Sequence, residues 1–92
     1  MNEDQLIRII SEVRSEFQIP PYFSDEGLKN YAREGEVHLL SLNPGRDVDK
    51  NLKYRMLLKN YVYYAYHHVL NEFSQNYASD ILGWQLNGEV EE

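Results

Sequence analysis

Two adjacent histidines, His67 and His68, are the first residues in this chain that could do chemistry, and a third, His38, lies far upstream. Imidazole is a common metal ligand and proton carrier. On a helix, however, neighbouring side chains diverge by about 100 degrees, so His67 and His68 cannot readily close on one ion, and His38 joins them only through tertiary structure. Ordinary packed or interfacial imidazoles are the expectation. No cysteine is present, which removes thiolate catalysis, cysteine-ligated zinc and disulfides together. The serines stand in no nucleophile-elbow context, and Asn43-Pro44-Gly45-Arg46 lacks the glycine spacing and the GK[ST] ending of a phosphate loop. It is expected to be a turn that exposes Arg46, a candidate for partner contact. Neither a reaction nor a cofactor or metal is expected.

Tyrosine is the other unusual resource, with eight in 92 residues. Tyr31 and Tyr61 fall on apolar stripes and are expected to pack inside. Tyr63, Tyr64 and Tyr66 cannot all face one core. Tyrosine buries large area while keeping a polar tip, so Tyr63 and Tyr64, with His67, are candidate interface residues, packing against the first or last helix being the alternative. Trp84, the only tryptophan, is expected either to staple the last segment onto the rest or to dock a partner.

The elements that must position these residues are helical. Leu6, Ile9, Ile10, Val13 and Phe17 share one face of a helix from about Asp4 to Phe17, which Pro20 and Pro21 end. Ser24 is an N-cap signal, followed by a stripe of Leu28, Tyr31, Ala32, Gly35, Leu39 and Leu42. A glycine costs about 1 kcal/mol in a helix interior, so Gly35 on the apolar side predicts close approach of another helix. After the NPGRDVD loop, in which Asp47 or Asp49 can cap, a third helix is expected from about Lys50 to Asn76, with Leu58, Tyr61, Val62, Ala65, Val69 and Phe73 as its core face. Its far side still holds Met56, Tyr63, Tyr64 and His67, so this helix should have neighbours on more than one side. YVYYAY has strand-forming composition, but no turn residues bound it and helix formers flank it. Tyr77, Ile81 and Trp84 mark a last segment that either continues the third helix or breaks near Asn76, before Gly88 and the acidic EVEE tail. The fold class expected is all-α, one domain over residues 1–92, a small three- to four-helix bundle with one long central helix.

Charge is partitioned along the chain. Residues 1–26 carry a balance of -4, residues 27–64 one of +3, and residues 65–92 one of -5 with no Lys or Arg. Acidic ends can dock on a basic middle, within a chain or between copies. The net charge of -6 argues against tight reading of nucleic acid, which needs clustered bases. An acidic start, MNEDQLIRII, and the lack of a run of roughly 18 to 20 apolar residues give the expectation of a soluble intracellular protein without a membrane span.

The run RMLL (Arg55 to Leu58), then YVYYAY (Tyr61 to Tyr66) and LNEFSQNY (Leu70 to Tyr77), resembles the long helix of small tailed-phage head-tail connector proteins. PYFSD (Pro21 to Asp25), leading to Leu28 and Tyr31, resembles the entry to that family's preceding helix. Together these cover most of residues 20–82. The resemblance implies a structural virion protein at the head-tail junction, assembled in the bacterial cytoplasm as a homo-oligomeric ring beneath the portal protein. Such a ring extends the DNA channel, with DNA passing non-specifically, and offers a surface to a stopper or tail-completion protein. Family members can be monomeric alone and assemble only on the portal. The implied contacts fall to Tyr63, Tyr64 and His67 between subunits and to the segment around Trp84 for docking. A small acidic helical adaptor or inhibitor of a single host protein is the other class the sequence admits.

Overall fold

Asn2 starts the first helix. Its side chain accepts the Gln5 backbone N–H at 2.8 Å while the Gln5 side chain accepts the Asn2 N–H at 3.0 Å, a reciprocal box that settles α1 at Glu3–Phe17. This is the first element of a computed structural model that describes residues 1–86; the expected stop at Gly88 and the acidic tail over 89–92 lie outside the described residues. Leu6, Ile9, Ile10 and Val13 are buried as their spacing requires, and Gln18 closes the helix in the left-handed region at φ 54°.

Ser24 caps α2, Asp25–Leu42, by accepting the Gly27 N–H at 3.1 Å. Leu28, Ala32, Gly35 and Leu39 form its buried face. The close approach predicted at Gly35 is present: a Cβ there would lie 2.8 Å from the Tyr61 ring and 2.9 Å from Leu58.

Helix α3 spans Leu52–Tyr66 and differs from expectation at both ends. Neither Asp47 nor Asp49 caps it. Asp47 instead folds its own turn by accepting the Asp49 N–H at 3.0 Å, and Asn51 takes the cap by accepting the Tyr54 N–H at 3.0 Å. At the far end the expected long central helix is absent. Val69 N–H donates to the Tyr64 carbonyl at 3.0 Å and His68 N–H to the Ala65 carbonyl at 2.9 Å, with His68 left-handed at φ 60°. That is the usual glycine-type helix stop, here built on histidine, and no Gly or Pro announces it. The chain then forms α4, Leu70–Asn76, turns at Tyr77, and forms α5, Ala78–Leu86. The break near Asn76 that the sequence left open is therefore there.

The described residues thus hold five helices and no strand. Helix α3 is central: it touches α1, α2, α4 and α5, while α1 also packs on α2 and α4 on α5. Leu57, Leu58 and Val62 lie fully buried where the layers meet, beside Tyr54 at 1% exposure. Tyr54 and Leu57 are outside the expected stripe. Tyr54 is covered where α5 folds back over the start of α3, stacking Trp84 on its ring at 5.3 Å.

Candidate functional site

The charged surface explains itself within one chain. Arg55 of α3 grips Glu12 of α1 by donating Nε and Nη2, one edge of its guanidinium, to the two carboxylate oxygens, and Lys59 reaches Glu16 at 2.6 Å and Glu12 at 3.2 Å. Lys29 pairs with Glu3 at 3.0 Å and Lys53 with Asp80 at 2.9 Å. Arg8 and Arg55 share Asp49, and Arg33 shares Glu36 with the Met1 ammonium. Glu3, Glu12 and Glu16 of the first stretch and Asp80 of the last dock on the basic middle of the same chain, one of the two arrangements that the charge pattern allows. Arg55's hydrogen bond holds the Glu12 carboxyl below its ordinary value, outweighing burial, and bonds from Gln5 and Arg8 do the same for Asp49. The exposed pairs among them, such as Arg8 with Asp49, are screened by solvent and add little to stability. They orient α1 on α3 more than they stabilise it.

Arg14 fixes the loop between α1 and α2. Its guanidinium donates to the Pro20 and Phe23 carbonyls and to Asp25, at 3.1 Å for Pro20 and 2.8 Å for Asp25. Phe23 is thereby aimed at two rings, lying parallel to Tyr31 at 6.3 Å and edge-on to Tyr66 at 4.8 Å.

From Tyr66 an aromatic belt continues round the exposed side of α3. His67 stands edge-on between Tyr66 at 4.9 Å and Tyr63 at 4.7 Å, and Tyr63 stacks flat on Phe17 of α1 at 4.3 Å. Beyond Tyr63 comes Tyr64, whose ring lies 5.9 Å from Tyr77 and 5.8 Å from Phe73, a buried core ring. Tyr61 closes the series on Phe73 at 5.6 Å, with His38 beyond it at 6.0 Å. The hydroxyl of Tyr64 accepts from the Asn76 amide at 3.2 Å, and that of Tyr77 donates to Asn60 at 2.9 Å.

Among the candidate residues, Tyr63, Tyr64 and His67 are therefore neighbours in space. Both tyrosines are half-buried against other helices of their own chain and His67 is exposed. Arg46, expected to be exposed by its turn, is instead half-buried, because its Nε donates to the Asn43 side chain at 2.8 Å. Trp84 is 2% exposed and its indole N–H donates to the Leu39 carbonyl at 2.9 Å, so it is the staple of the two alternatives and its ring offers no docking face. His38 does not join His67 and His68 in a ligand set: among the described residues no three His, Cys, Asp or Glu side chains gather where a metal ion could be held. No described helix is long and apolar enough to cross a membrane.

Sequence reasoning missed Tyr54, whose hydroxyl is buried without a hydrogen-bond partner, burial pushing its ionisation well up from 10.0. The spacing Tyr54, Leu58, Tyr61, Val62, Ala65 carried that signal one turn upstream of the stripe. Also unforeseen is an open groove of about 390 Å³ between α2 and α5, lined by His38, Leu42, Ile81 and Leu82, with Leu82 and Leu86 exposed nearby.

No known family, curated protein or solved structure matches this chain.

Proposed function

We propose that this protein is a structural assembly subunit of the head-tail connector type, working in a ring beneath the portal at the head-tail junction of a tailed phage and carrying out no reaction of its own. The observation that carries this reading is the half-exposed aromatic belt around α3. Tyr63, Tyr64 and His67 lie side by side on one face of a small helical body whose charges are largely spent on its own interior register. Large amphipathic rings at a surface are the residue types that carry binding energy in protein interfaces. The resemblance of residues 20–82 to connector helices supplies the rest, including the portal and a stopper protein as partners and DNA as non-specific cargo of the channel. An acidic subunit suits that channel, since phosphate slides past without sticking. With Trp84 inside, the docking role proposed for the last segment passes to exposed Leu82 and Leu86.

The test is to delete the gene from its source phage or prophage, induce, and image the lysate by negative-stain electron microscopy. Separate heads and tails, with heads that lose their DNA, are expected. Normally joined particles would overturn the reading.

A further inference from the structure

One large side chain on the described surface is held in place and left unused. The Phe23 N–H donates to the Pro20 carbonyl at 3.1 Å, closing a tight turn with Pro21 and Tyr22 at its two central positions. Arg14 donates to the same Pro20 carbonyl and to that of Phe23, so the turn is clasped at both ends. Tyr22 stands at its tip, 87% exposed, its side chain without a hydrogen bond or ring contact. An aromatic knob presented this rigidly loses little freedom when it docks. The groove between α2 and α5 is its counterpart. Leu42, Ile81 and Leu82 give it an apolar lining, completed by His38, Ser74 and Gln85, whose side chains make no hydrogen bond among the described residues. An apolar hollow with unspent polar groups suits a ring that carries a hydroxyl, which is what tyrosine is. Asp25 and Glu26 lie exposed beside the knob, and no carboxylate lines the groove to repel them.

We infer that Tyr22 of one copy seats in the α2–α5 groove of a second copy, so that copies of this chain join head to tail. Within one chain the two features cannot meet. From Asp25 to His38 helix α2 runs about 20 Å at about 1.5 Å per residue, and the clasped turn cannot fold back over that distance. A nucleic acid is the wrong occupant, because the lining holds no Lys or Arg to meet phosphate. A contact between two unlike patches is heterologous, and its repetition gives a ring or an open filament. Phe23, next to the knob, meets Tyr66 beside His67, so knob and belt share one end of the molecule. The groove, with Leu82 and Leu86 exposed at 55% and 71%, supplies the second face that every subunit of a ring needs. This inference rests on the ring reading for closure alone, and not for the contact itself.

To test it, Tyr22 is replaced in the full chain by the photoreactive p-benzoylphenylalanine, and a concentrated solution is irradiated and mapped by peptide mass spectrometry. Dimers, trimers and longer multiples, joined from position 22 to Leu42, Ile81 or Leu82, are expected. In sedimentation, Tyr22→Ala and Leu82→Glu should each weaken self-association about tenfold or more, with the circular dichroism of the parent because both side chains are exposed. Mixed together, these two variants retain one groove and one knob between them, and should pair as dimers that grow no further. A parent that stays monomeric at millimolar concentration, crosslinks confined to other surfaces, parent dimers that never grow, or a Tyr22→Ala protein that associates like the parent would each overturn the inference. Its failure is distinct from that of the phage reading. Normally joined particles in the deletion lysate would remove that reading and leave this contact standing, whereas a monomeric parent removes the contact and leaves that reading to the lysate.

Discussion

Asn43 and Trp84 hold each other's neighbourhood in place: the Asn43 amide donates to the Trp84 carbonyl at 2.8 Å, and the Trp84 indole donates to the carbonyl of Leu39, one turn before Asn43, at 2.9 Å. The two bonds latch α5 to the end of α2, and Asn43 is 1% exposed. Removing either donor has unequal consequences. Asn43→Ala leaves Arg46 without its Asn43 partner and takes the side-chain donor from a buried carbonyl, and should cost about 1–3 kcal/mol. Trp84→Phe keeps a ring against Tyr54, and the Leu39 carbonyl retains the Asn43 backbone N–H at 3.2 Å, so the hydrogen-bond part of the loss should be nearer 1 kcal/mol. Urea melts of both variants would show the order.

Tyr54→Phe should leave stability unchanged or raise it by about 1 kcal/mol, because the hydroxyl it removes is buried and unpartnered. The same variant should alter the alkaline limb. The folded-state ionisation of Tyr54 lies above the unfolded value of 10.0, so the stability it contributes is present below pH 10.0 and is lost as pH rises beyond it. Parent protein should weaken there more steeply than Tyr54→Phe, a difference readable by circular dichroism in a pH titration.

Gly35→Ala is expected to destabilise, against the helix-propensity gain of about 1 kcal/mol. The new methyl would meet the Tyr61 ring at 2.8 Å and Leu58 at 2.9 Å, and Leu58 is fully buried, so α2 must back away from α3. Overpacking of this kind costs about 1–3 kcal/mol, and a melting temperature below that of the parent is the expected reading.

How much of this was legible beforehand differs by element. The apolar faces of α1 and α2, the Ser24 cap and the Gly35 contact are local patterns, visible in spacing and residue type. The end of α3 was not, because a left-handed stop ordinarily announces itself with glycine and here His68 occupies it. Tyr54 was missed for a related reason. Its burial depends on α5 returning over α3, a tertiary event that follows from that hidden stop. Of the candidate interface, Tyr63, Tyr64 and His67 were found by the excess of rings on one helix, whereas Phe17 and Phe23 joined them only through the helix packing and the Arg14 clasp.

His68→Gly follows from that stop. A non-glycine residue in the left-handed region costs about 1–2 kcal/mol, of which glycine returns part while adding freedom to the unfolded chain. A small rise in stability, up to about 1 kcal/mol, is expected with helix content unchanged. His68→Val should do the opposite, since a β-branched side chain tolerates that backbone poorly.

Acid should loosen α1 first. Glu12 and Asp49 titrate below their ordinary values of 4.5 and 3.8 in the folded chain, so their contribution is present above those values and is lost as pH falls through the lower folded ones. Glu12→Gln should be less stable than the parent at neutral pH and show a flatter decline in acid, with the two curves converging at the lowest pH, measured by thermal melts across the range.

The short C-terminal helices have a consequence for the order in which the molecule opens. Seven residues in α4 and nine in α5 are too few to persist as helices alone in water, where about 12–15 are needed. Their amide hydrogens are protected only while Phe73 and Trp84 remain seated. In native-state hydrogen exchange the backbone from Leu70 to Leu86 should therefore trade its protons as one cooperative block, at a lower opening free energy than the amides of α2 and α3 beneath it.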